Sequence, residues 1–172
     1  MKITDDFLDE ETFILLQGKL LSQGVCWHFV PFTAGRYESN DGPDQFFFGH
    51  TIYQNHSWTS GLSQDIAPLI QKIAPMSIHM IRANLMTKSK TNIESDFHSD
   101  LALNAPTTDK IDQWTTAIYY INDCNGYTKL EDGSVIESRA NRLLTFPSDM
   151  QHLGATCTDE KRRVLINLNY FL

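Results

Sequence analysis

Residues 115–147 read TTAIYYINDCNGYTKLEDGSVIESRANRLLTFP, and this stretch decides the fold class. Thr115 to Ile121 is β-branched and aromatic with little polarity, the texture of a centrally buried strand. Asn125-Gly126 is a turn signal. Tyr127–Leu130 and Val135–Glu137 flank Asp132-Gly133, a dipeptide that favours a tight hairpin. Arg142 to Phe146 is a further strand, ended by Pro147. The same texture continues outward. Ser77–Met86 and Phe97–Leu101 are expected strands before this stretch, and Arg163–Phe171 is the last one after it. Many short strands at close spacing indicate an antiparallel sandwich or barrel. The pattern predicts a mainly β chain (α+β): a double-stranded β-helix, or jelly roll, with N-terminal supporting helices packed outside.

Those helices have their own signals. Asp9 is the expected N-cap of the first, Glu10 and Glu11 lie in its first turn, and Phe13, Leu16 and Leu20 recur at helical spacing before Gly24. A second helix is expected over residues 63–73, with Ile66, Leu69, Ile70 and Ile73 on its apolar face, Pro68 in its first turn and Pro75 stopping it. Residues 25–60 carry Trp27, Phe29, Phe32, Phe46, Phe47, Phe48 and Trp58 and read as irregular strands and loops. The chain of 172 residues is therefore expected to be one domain, with residues 1–75 as helical and loop support and 76–172 as the jelly-roll core.

Composition narrows the function. Apolar residues make up 41% and charged residues 20%, as in ordinary globular proteins. No apolar run approaches the ~20 residues needed to span a bilayer, and the N-terminus lacks the basic and apolar regions of a secretory signal. The three cysteines, Cys26, Cys124 and Cys157, have neither zinc-site spacing nor a disulfide pattern, so a reducing cytoplasm is the expected location. The net charge of −7 disfavours nucleic acid as a partner, because phosphate neutralisation relies on Lys and Arg.

The chemistry concentrates at Asp96-Phe97-His98-Ser99-Asp100. Residues two apart on a strand share a face, so His98 and Asp100 can present an imidazole and a carboxylate to one point. Such a pair leaves a divalent transition metal short of ligands, and His152, after the Phe146-Pro147-Ser148-Asp149 turn, is the natural third. Two histidines and one carboxylate on one face of an octahedron match non-haem Fe(II) oxygenases, whose open positions accept a 2-oxo acid and O₂. The distal carboxylate of a chelated 2-oxo acid needs a cationic partner, ideally a guanidinium. Arg162 and Arg163 both stand at the start of the last strand. Arg163 shares parity with Leu165, Asn167 and Asn169, and Arg162 with Val164, Ile166 and Leu168. Parity alone leaves both open.

This order of motifs, over residues 77–172, resembles the 2-oxoglutarate/Fe(II)-dependent oxygenase superfamily, in particular its prolyl-hydroxylase-like branch and the small versions common in phages and marine bacteria. His98-Ser99-Asp100 is similar to the first two ligands. Ala117 to Asn122 resembles the buried strand after them, Asn125-Gly126-Tyr127-Thr128 the turn opening the next hairpin, and Phe146-Pro147 with His152-Leu153-Gly154 the third-ligand segment. The resemblance implies Arg163 as the binder of the 2-oxoglutarate distal carboxylate, with Tyr119 and Asn84 as candidates for a second hydrogen bond to it. Arg82, Asn84 and Leu85 stand where relatives often place a tyrosine. Asn167 and Asn169 are candidates for hydrogen bonds near the pocket, or for a structural use.

The resemblance further implies Fe(II) held by His98, Asp100 and His152, 2-oxoglutarate as cosubstrate, ascorbate as a reductant, and O₂ with a small-molecule or peptide substrate as partners. Relatives that halogenate replace the carboxylate ligand by a small residue, so Asp100 argues for hydroxylation, with a peptidyl or free prolyl or other amino-acid side chain as the expected target. The competing reading is a non-enzymatic, cupin-like metal- or ligand-binding jelly roll, which needs no Arg163. His28, His50, His56 and His79 lack a comparable context, although His50 and His56 form a conceivable second pair.

Overall fold

Asp9 opens the first helix in the way its position predicts: its side chain accepts the Thr12 amide at 2.9 Å, and helix α1 spans Glu10–Leu21. The computed structural model describes residues 1–31, 46–101 and 108–172. Phe32 and its neighbours up to residue 45 lie outside them. Helix α2 covers Ala67–Ile73, later than expected, because Ser60 caps a separate 3₁₀ turn at Gly61–Ser63. It ends at Ala74, whose left-handed φ of 52° stops it before Pro75.

In chain order the strands are β1 (Lys2–Thr4), β2 (His28–Val30), β3 (Phe47–Gln54), β4 (Ser57–Trp58), β5 (Ser77–Thr87), β6 (Thr115–Tyr120), β7 (Cys124–Leu130), β8 (Val135–Ser138), β9 (Leu143–Pro147), β10 (His152–Gly154) and β11 (Arg162–Phe171). An eight-stranded antiparallel sheet runs β1-β9-β6-β11-β5-β3-β2, with β4 paired to β3, and a three-stranded sheet runs β10-β7-β8. This is the expected two-sheet jelly roll. The expected division at residue 75 places too little in the sheet, since β1 pairs with β9 and β3 with β5.

Side-chain alternation on β11 separates two cores. Val164, Ile166, Leu168 and Tyr170 pack with Ala117, Tyr119 and the α1 residues Phe13, Leu16 and Leu20. Leu165 faces the other way and joins Ile118, Tyr120 and Leu144 against Leu130 and Ile136 of the smaller sheet. Fully burying each such Leu or Ile is worth roughly 1.5–3 kcal/mol. Arg162 follows the helix-facing parity, and its Nη2 donates to the Leu21 carbonyl at the C-terminus of α1, 2.5 Å away. Among the described residues no helix is long and apolar enough to cross a membrane.

Two expected features differ. Phe97–Leu101 is not a strand: only His98 bridges to His152, through amide–carbonyl bonds of 3.0 and 2.9 Å. The segment's polar side chains bond backbone carbonyls instead: His98 Nδ1 bonds the nearby Asp96 carbonyl at 3.0 Å, and Ser99 Oγ donates to the Ser148 carbonyl, distant in sequence, at 2.6 Å. Asn125-Gly126 is not a free turn either. It lies inside β7, where the pairing with β8 shifts between Cys124 and Tyr127. The Asp132-Gly133 hairpin forms as expected, with Gly133 at φ 88°.

Candidate metal centre

The His98–His152 bridge sets two imidazoles side by side, with ring centroids 4.5 Å apart. Asp100 completes the group: one ligand atom from each of the three lies within 4.8 Å of the others. The carboxylate has two distinct ends. Oδ2 accepts from Asn167 Nδ2 at 2.9 Å and from Asn169 Nδ2 at 3.1 Å. Oδ1 faces the histidines, 3.6 Å from His98 Nε2 and 3.9 Å from His152 Nε2. The two asparagine amides thus aim the carboxylate, as hydrogen-bond partners of metal ligands commonly do. Among the described residues no second group of this kind occurs, and His50 instead bonds Ser60 Oγ and the Cys26 carbonyl.

Electrostatics suit a cation here. Burial raises the Asp100 carboxyl, but the two imidazoles and the Asn169 amide outweigh it and hold Asp100 well below the usual carboxylate range. Burial pushes His152 down to about 4 against the pull of Asp100, leaving its imidazole neutral near pH 7. For His98, burial acts downward and Asp100 upward, and the net shift is upward. The donor set of two imidazole nitrogens and one carboxylate oxygen fits Fe(II) with open positions.

Arg163 starts β11 on the face opposite Arg162, and it is fully buried. Its Nη2 donates to Thr128 Oγ1 at 3.0 Å and its Nη1 to the Ala155 carbonyl at 3.3 Å, while the guanidinium lies over the Tyr120 ring. Its Nε has no partner. Among the described residues no carboxylate pairs with it, and burial lowers its pKa. Gly126 makes room for it: a Cβ there would sit 2.6 Å from Arg163 Cδ. Arg163 lines the same pocket as His98, Asp100 and His152. A buried guanidinium without an anion is costly, so this end of the pocket suits an anionic ligand group.

The other expected residues divide. Asn84 lines the pocket, and its Oδ1 is buried without a partner. Tyr119 is corrected: it shares parity with Ala117, packs edge-on against Phe7 and Phe13, and donates to Asn141 Oδ1 at 2.6 Å, on the helix side of the sheet. Tyr120 faces the other way, in the core between the sheets, where its ring lies under the Arg163 guanidinium and its hydroxyl donates to Thr128 Oγ1 at 2.8 Å. Sequence reasoning did not single out Gly126, Thr128 or Arg82 as site residues. Arg82's parity with Asn84 was the available signal.

No family model matches the sequence, and no curated protein matches it. Solved structures do match the fold. A prolyl hydroxylase from Trichoplax adhaerens, in complex with a hypoxia inducible factor oxygen degradation domain peptide, superposes with a TM-score of 0.66 at 18% identity, covering 99% of this chain and 82% of that one. A Pseudomonas putida prolyl-4-hydroxylase superposes with a TM-score of 0.63 at 14% identity, covering 99% and 91%. A non-heme alpha-ketoglutarate-dependent epimerase of nogalamycin biosynthesis gives 0.62 at 15% identity, covering 98% and 75%. At these identities the likeness establishes the double-stranded β-helix fold of 2-oxoglutarate/Fe(II) oxygenases.

Proposed function

We propose that this chain is a non-haem Fe(II)- and 2-oxoglutarate-dependent oxygenase that hydroxylates an unactivated C–H bond, on a peptidyl or free prolyl or other amino-acid side chain. The observation that carries the reading is the buried, unpaired Arg163 in one pocket with His98, Asp100 and His152. A cupin-like metal-binding module has no use for such a cation. His98, Asp100 and His152 would hold the iron, and Arg163 would take the distal carboxylate of 2-oxoglutarate. When bound, the iron would supply the coupling of O₂ reduction to 2-oxo acid decarboxylation and substrate oxidation, with ascorbate only returning oxidised iron to Fe(II) outside that cycle.

The chain's own residues do the rest. Asn167 and Asn169 aim the Asp100 carboxylate. Thr128, which accepts from both Tyr120 and Arg163, fixes the guanidinium so that little reorganisation accompanies cosubstrate binding. Met86, Ile118 and Leu165 line the pocket with apolar surface that keeps water from the reacting groups. The whole chain acts as one catalytic domain in this reading.

The test is succinate formation in air with Fe(II) and 2-oxoglutarate, expected in wild type and lost in His98→Ala and Asp100→Ala. Failure of the iron-loaded protein to bind 2-oxoglutarate under anaerobic conditions sinks the proposal and favours the cupin-like alternative. Mass-spectrometric detection of a product gaining one oxygen, among proline-containing peptides and free amino acids, identifies the target.

A further inference from the structure

The pocket holds a second arginine that the cosubstrate does not use. Arg82 lies on β5, with Asn167 of β11 and Thr51 of β3 as its cross-strand partners. It lines the pocket beside Asn84, His98 and Asp100. Its Nε is buried without a hydrogen-bond partner, and its guanidinium lies 5.2 Å from the centre of the Phe47 ring. Among the described residues no carboxylate forms an ion pair with it. Asp100 is the acid whose charge reaches it, yet Asp100 Oδ2 is committed to two asparagines and Oδ1 faces the histidines.

A desolvated guanidinium in this position calls for an anion from outside the protein. One carboxylate cannot serve both arginines. The cross-strand partner of Arg163 is Met86, four residues from Arg82 along β5, or about 13 Å at ~3.3 Å per residue. Arg163 sits at one end of the pocket, and Arg82 sits beside the metal-ligand cluster. Phe46 and Phe47, which line the same pocket, add apolar surface next to Arg82 for the carbon part of a ligand.

The geometry points to Arg82 as the residue that binds the primary substrate, through a carboxylate that this substrate carries. The inference rests on the oxygenase reading above and narrows its substrate to small carboxylic acids, whether free amino acids or the C-terminus of a peptide. The planar fork of Arg matches two carboxylate oxygens, and the Phe47 ring lies within cation–π distance of it.

The experiment uses the full chain loaded with redox-inert Zn(II) and saturated with 2-oxoglutarate. Ligand-observed NMR compares each free amino acid, proline first, with its carboxamide, and proline-ending dipeptides with free and amidated C-termini. At least one acid should bind tenfold or more tightly than its amide, and Arg82→Met should abolish that preference. Preference among the amino acids but not the dipeptides identifies a free amino acid, and the reverse a peptide terminus. The 2-oxoglutarate affinity should stay within twofold in Arg82→Met and fall at least fiftyfold in Arg163→Met. If Arg82→Met does not fold, Arg82→Lys replaces it, with the acid preference expected to fall severalfold.

Absence of any acid-over-amide preference across the panel overturns the proposal. So does a loss of 2-oxoglutarate affinity in the Arg82 variant as large as in Arg163→Met. If wild type binds no 2-oxoglutarate, the oxygenase reading itself fails, and the same acid–amide comparison with Zn(II) alone still decides the role of Arg82.

Discussion

Asp100 presents Oδ1 to the two imidazoles because amides from Asn167 and Asn169 occupy Oδ2. Removing one amide should leave the protein folded while letting the carboxylate rotate. Asn167→Ala is therefore expected to weaken Zn(II) binding by roughly 10–100-fold, measured by competition with a chromogenic chelator. Gly126 acts on the other end of the pocket. An alanine methyl there would lie 2.6 Å from Arg163 Cδ and 3.1 Å from two backbone carbonyls, so Gly126→Ala displaces the guanidinium or the chain around it. Its 2-oxoglutarate affinity should fall at least ~10-fold, about 1.4 kcal/mol, while Zn(II) stoichiometry stays at wild type. Calorimetry on the Zn(II) form checks this, and an unchanged affinity would refute the packing argument.

Among the elements, the short connection between β8 and β9 holds the N-terminal segment in place. Asn141 sits there at φ 61°, accepts the Leu8 amide and the Tyr119 hydroxyl on Oδ1, and donates Nδ2 to the Leu8 carbonyl. Asn141→Ala loses these buried bonds and keeps an unfavourable backbone, so a loss of roughly 2–4 kcal/mol is expected in urea unfolding. The elements also show what was legible beforehand. β6 and β11 were readable because β-branched and aromatic residues fill them. β3 was not, because Phe47-Phe48-Gly49-His50-Thr51 shows no apolar–polar alternation, and both its faces are partly buried. A strand argument brings the candidate ligands together in the sequence, and the structure replaces it with a single bridge: His98, Asp100 and His152 do cluster, in a local geometry other than the expected one. Tyr119 turns away from the pocket with its neighbours on the same parity, since Ala117, Tyr119 and Ile121 all join the helix-side core.

At the scale of the whole molecule, the chain's first residues are fastened into one edge of the larger sheet. β1 pairs with β9, and Asp5 accepts from Arg142 Nε at 2.6 Å and Nη2 at 3.1 Å. Arg142 holds the Asp5 carboxyl below its ordinary range. Because the folded value is the depressed one, this contribution is present above the unfolded pKa of about 4 and is lost as pH falls through the folded value. Asp5 is partly exposed, so screening keeps it to at most ~1 kcal/mol. Asp5→Asn should lower stability by that amount at pH 7 and by almost nothing near pH 2, as measured by denaturant titration at both.

Arg162 and Arg163, adjacent on β11 yet on opposite faces, have a consequence for how faithfully the molecule assembles. A slip of β11 by one position would send Arg163 toward α1 and Arg162 toward the pocket, exchanging clamp and binding group in a single error. Misaligned molecules would keep much of their secondary structure and still fail to capture 2-oxoglutarate. In the proposed reading, titrating a refolded preparation with that ligand counts the correctly aligned fraction, which circular dichroism would overstate.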